Sequence, residues 1–124
     1  MINAKELYNS LLSDSRITEL VNEDNILSSW PNEEIETFPC IIFLDDNQSD
    51  DEYYENMPGA SRCSVQIHIF SKKLENYVTT SEIGVIIAKV MNEDLWNCSQ
   101  NREVLNSDPD CEHRVMIFNK SIFN

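Results

Sequence analysis

Residues 62–91 constrain this chain more than any other stretch. Val65, Ile67 and Ile69 alternate with Ser64, Gln66 and His68. That is the period of two expected of a half-buried strand, because successive side chains leave a strand on opposite faces. Thr79 and Glu82 then stand at the spacing of a capping box, which satisfies two orphan backbone donors at a helix start. Ile83, Ile86, Ile87, Val90 and Met91 follow as one broad apolar stripe at helical spacing. A one-sided strand followed by a one-sided helix has a natural solution. The helix lies across a sheet, and each buries the apolar face of the other.

The rest of the chain reads as sheet and surface added to that pair. Asn3 and Glu6 repeat the capping spacing, so a helix is predicted from Ala4, with Leu7, Tyr8, Leu11 and Leu12 as its buried stripe. Ser13-Asp14-Ser15 interrupts it, and Ile17, Leu20 and Val21 resume a second short helix. Ile26, Leu27 and Trp30 suggest a brief extended piece stopped by Pro31. Phe38 to Leu44 is a continuous apolar run, expected of a strand covered on both faces or held at a subunit interface. Pro39 belongs at its start, since it has no N–H to give a ladder. Beyond the helix, Leu95 and Trp96 are expected to cap the core. Short strands are predicted over 102–105 and 111–118, with a turn over 107–110 between them and Ile122-Phe123 as an apolar tail. The fold class is α+β. A mostly antiparallel sheet of four to five strands carries the N-terminal helices and one central helix on one face, in one domain spanning 1–124.

Composition bounds function chiefly by exclusion. A chain of 124 residues is long enough for a core without metal or disulfide staples. No run reaches the roughly 18 apolar residues of a membrane helix. The N-terminus lacks the basic and apolar regions of a signal peptide, so the chain is expected to stay in the compartment where it is made. Its four cysteines, Cys40, Cys63, Cys98 and Cys111, lie far apart, which suits reduced and partly buried thiols better than a zinc site. The net charge of −13 opposes binding to a nucleic-acid backbone. It suits a basic protein partner or a surface that repels DNA.

Between the apolar run and the central strand lies an acidic excursion. Asp45, Asp46, Asp50, Asp51, Glu52 and Glu55 surround Tyr53 and Tyr54. Such a charge run reads first as a solvated loop, though adjacent tyrosines favour a partner surface. It fails as a calcium loop. Counting from Asp45, Asp50 falls where the turn glycine belongs and Asn56 where the bidentate glutamate belongs. Nor is catalytic chemistry recognisable elsewhere. Two glycines, Gly59 and Gly84, cannot form a phosphate loop, and no serine or cysteine stands in a nucleophile motif. His68 and His113 each lie on a predicted strand, where a histidine is usually a satisfied structural residue. No catalytic residue, cofactor or metal is therefore assigned.

The order of elements resembles that of the tail-completion, or tail-terminator, proteins of tailed bacteriophages and prophages. It runs from helices to a piece ending in Trp30-Pro31, then the Pro-led strand Phe38 to Phe43, a long polar loop, the strand from Arg62, the central helix and two closing strands. The resemblance spans nearly the whole chain and rests on this pattern, with no signature motif. It implies a virion protein made in the bacterial host cytoplasm. Such a protein forms a ring, commonly a hexamer, at the head-proximal end of the tail tube. Its partners would be further copies of itself, the tail-tube protein and neck or connector proteins, with DNA passing through unbound. The expected interface comprises Phe38, Ile41 and Phe43 with Asp45, Asp46, Asp50, Asp51, Glu52, Tyr53 and Tyr54. Rival readings are another neck component, a small acidic adaptor, and an acidic DNA mimic that fills the basic groove of a host enzyme.

Overall fold

The computed structural model describes residues 4–45, 60–105 and 108–123. Helices α1 (Ala4–Ser13) and α2 (Ser15–Thr18) open the chain. Between them Asp14 breaks the helix and restarts it, because its side chain accepts from the Arg16 N–H as an N-cap. Strand β1 (Ile26–Leu27) follows, then β2 (Cys40–Asp45), β3 (Ala60–Lys72), α3 (Thr80–Glu93), β4 (Asn97–Val104) and β5 (Cys111–Phe123). The sheet has the order β1-β2-β3-β5-β4, and every pairing is antiparallel except β1 with β2. The α+β expectation is met.

Both ends of α3 carry their own stop signals. At the start, the Thr79 hydroxyl accepts from Glu82 N–H at 3.1 Å. Glu112 of β5 reaches over and accepts from the Thr80 N–H and hydroxyl, each at 3.0 Å, which ties a carboxylate to the positive helix end. At the finish, Leu95 N–H donates to Asn92 O and Trp96 N–H donates to Met91 O. These two bonds make a Schellman motif, with Leu95 in the left-handed region at φ 67. Met91 and Trp96, three and two positions from the cap junction, are both buried, which supplies the motif's apolar clasp. Leu95 itself points outward at 75% exposure, so the expectation that it caps the core fails. The backbone turn that buries Trp96 necessarily swings its neighbour away.

The register sorts the sheet into two faces. Val65, Ile67 and Ile69 share the helix side with Ile41, Phe43, Met116 and Phe118 across the ladders. Ile83, Ile87 and Met91 of α3 and Leu11, Ile17 and Val21 from the N-terminal helical region close over them as one core. Gly84 allows the approach, since a Cβ there would sit 3.3 Å from Arg114 Cδ and from Met116 Sδ. Two strands run longer than their alternation predicts: β4 begins at Asn97, and β5 continues to Phe123. β4 is an outermost strand, polar and exposed on both faces, so it has no apolar period to betray it.

Candidate assembly surfaces

The residues expected at an interface divide three ways. Ile41 and Phe43 are 0% and 1% exposed, held between β1 and β3 and covered by the helices. The chain buries both side chains in its own core. The apolar run is thus a strand covered on both faces, since Cys40 and Ile42, which point to the back, are buried as well. Burial pushes the Cys40 thiol up to about 11, which leaves it an inert packing group. Phe38 is half-buried, with the Lys72 ammonium 4.7 Å above its ring. Asp45 is exposed at the end of β2. Asp46, Asp50, Asp51, Glu52, Tyr53 and Tyr54 lie outside the described residues.

The back of the sheet is closed by a segment and not by a helix. Residues 28–39 cross it, anchored at their base where Asn25 Nδ2 donates to Pro39 O and Thr37 Oγ1 donates to Asn25 Oδ1. From this segment Trp30 lies against His68, ring centroids 4.8 Å apart, and meets Phe70 edge-on. Phe70 in turn stacks on His113 at 4.2 Å. His68 Nδ1 stands 2.9 Å from His113 Nε2, and His68 Nε2 stands 3.1 Å from Gln66 Oε1. A carboxamide oxygen only accepts, so His68 Nε2 carries the proton. Its Nδ1 must then accept from His113 Nε2–H. This chain of donors uses both nitrogens of His68 and Nε2 of His113 while the rings stay neutral. Burial, followed by the neighbouring His113, lowers His68 to about 4. Burial and the Arg102 charge lower His113 too.

A second concave surface lies on the helix side, where α3 stops short of covering β4. The groove between them holds about 450 Å³ and is floored by Trp96 and Phe118. Val85 stands at its wall, 52% exposed. Lys89 is the one charged residue lining it. Neither the groove nor the histidine pair was legible in the sequence. The groove depends on where α3 ends relative to an edge strand with no apolar period. The pair depends on register, which sets His68 diagonal to His113 across β3 and β5. The alternation placing both on one face was the only available signal.

Among the described residues, no group of three or more His, Cys, Asp or Glu side chains is spaced to hold a metal ion. Nor is any helix among them long and apolar enough to cross a membrane.

No family model matches the sequence, and no curated protein matches it. Among solved structures, the chain is similar to one described as "Virion of native gene transfer agent (GTA) particle". The TM-score is 0.64 at 11% sequence identity, over 95% of this chain and 92% of that one. At that identity the likeness is one of fold.

Proposed function

We propose that this chain is a structural virion protein, a ring-forming tail terminator that ends the tail tube and joins it to the neck. The observation that carries the reading is the fold shared along nearly the full length of a chain from a gene transfer agent virion. The element order that resembles tail-terminator proteins points the same way and implies six copies. Charge supports it as well. A lumen lined by a protein of net charge −13 gives DNA no phosphate contacts to hold it and lets the polyanion slide. The role is assembly and not catalysis. The two histidines, the groups best suited to general base work near neutral pH, use their facing nitrogens on each other and on Gln66.

The partners on this reading are further copies of the chain, the tail-tube protein and a neck or connector protein. Phe38, Asp45, Asp46, Asp50, Asp51, Glu52, Tyr53 and Tyr54 belong to the contact surface or the lumen. The test uses the purified chain with the tail-tube protein of the same phage or prophage. Electron micrographs should show tubes of arrested length, with extra density at one end. Tubes that grow unchanged, with bare ends, contradict the reading.

A further inference from the structure

A ring needs two different patches on each subunit, because its contacts are head-to-tail. Two such patches stand on opposite faces of this sheet, and their chemistries match. The first is the groove between α3 and β4. The buried Trp96 and Phe118 close its base, the half-exposed Val85 and Ala88 give it apolar surface, Asn92, Asn97 and Asn101 line the rest, and no carboxylate does. That composition is unusual for a chain with 22 acidic and 9 basic residues. The nearby acids Glu93 and Asp94 are already paired, Glu93 with Arg16 at 2.7 Å and Asp94 with Lys120 at 3.4 Å. Arg114, beyond the groove's lining, already has acids beside it: Glu103 pairs with it across the β4–β5 ladder, and Glu112 accepts from the Thr80 hydroxyl that Arg114 Nε also reaches. Lys89 is therefore the one cation lining the groove, and it has no ion-pair partner among the described residues.

The second patch is the segment across the back. Trp30 is 49% exposed, its inner edge held by His68 and Phe70. Glu33, Glu34 and Glu36 follow within six residues, all exposed. No lysine or arginine occurs between Ile17 and Ser61, a stretch with more than half of the chain's acidic residues. An indole beside three carboxylates is the counterpart of a groove with exposed aliphatic surface, an unpaired lysine and no carboxylate.

We infer that the α3–β4 groove receives the Trp30–Glu36 segment of a second copy of this chain, the exposed edge of the indole against Val85 and Ala88 and the glutamates at Lys89. The groove's volume admits an indole and an adjoining side chain. Because the patches lie on opposite faces, each docked copy presents a fresh groove to the next, and the chain of contacts ends only by closing. The inference rests on the ring reading and specifies its interface.

Charge reversal on exposed positions tests it while leaving the core untouched. Three samples are compared by light scattering over a concentration series: wild type, Lys89→Glu, and the triple variant Glu33→Lys/Glu34→Lys/Glu36→Lys. The wild type should assemble. Each variant alone should need roughly tenfold more protein to do so, with melting temperatures unchanged at dilutions where no sample assembles. Mixing the two variants should restore assembly, since each supplies what the other lost. A wild type that assembles beside variants that assemble equally well overturns the interface while leaving the ring intact. A wild type that stays monomeric at every concentration removes the ring reading and this interface together.

Discussion

On the helix side of the sheet, Ile67, Ile69, Ile41 and Phe43 meet other aliphatic side chains and are sealed. On the back, the directly paired positions hold His68, Phe70, Cys40 and Ile42, under a segment that leaves Trp30 half exposed. The two layers are held by different means. The first relies on close packing, which is indifferent to pH and intolerant of lost volume. The second relies on a satisfied chain of hydrogen bonds between stacked rings, which holds only while those rings stay neutral. On the ring reading proposed above, the aliphatic core fixes the fold of each copy, and the half-exposed Trp30 on the back is left for a neighbour.

The largest effect that separates the two faces comes from deleting volume on the sealed side. Ile67→Ala should cost about 3 kcal/mol in a denaturant titration, because the closely packed core cannot collapse around the void. An equal effect from Phe70→Ala would erase the distinction, since Phe70 on the back is only half-buried.

Next in size is a pH effect confined to the back. With His68 lowered to about 4 in the folded chain, the unfolded chain takes up its proton first as the solution is acidified. The histidine contribution is therefore complete above about pH 6.5 and is lost progressively as pH falls toward 4. Discounted for the solvent that reaches the pair, the loss is on the order of 2 kcal/mol. Urea titrations between pH 7 and 4 should show it for the wild type and a clearly smaller slope for His68→Gln. Equal slopes would mean that carboxylates alone carry the acid sensitivity.

A gain of about 1 kcal/mol is expected where the helix layer ends. Leu95 occupies the left-handed region at φ 67 with its side chain in solvent, so Leu95→Gly relieves the Cβ clash and forfeits little packing. A thermal melt should move upward. The smallest effect is expected for Arg16→Ala. Its bridges to Asp14 and Glu93 lie on the outer surface of the helix layer, where water and salt screen them. Its melt should overlay that of the wild type.

How much of this was legible in advance follows the physical signals. The β3–α3 pair was readable because each element carries its own period and α3 carries its own start signal in Thr79 and Glu82. The break at Asp14 and the Asx turn at Asp108, whose side chain accepts from Asp110 N–H, were readable from turn chemistry. Burial of Ile41 and Phe43 was not resolved, since a continuous apolar run looks the same whether its own sheet or a neighbour covers it. The direction of Leu95 was hidden because its left-handed backbone is normally given to glycine. Strand β4 was cut short because edge strands exposed on both faces keep no apolar alternation. Both candidate docking patches lie in such silent places: one beside β4, the other on the irregular segment before β2.

The central claim, that the subunit is built to form a closed ring, is tested most directly by native mass spectrometry of the full chain at tens of micromolar. The account predicts one dominant species at a single fixed multiple of the subunit mass, six on the tail-terminator resemblance, with no ladder of intermediates. A monomer at every concentration, or an open series of multiples without a preferred end, would contradict it.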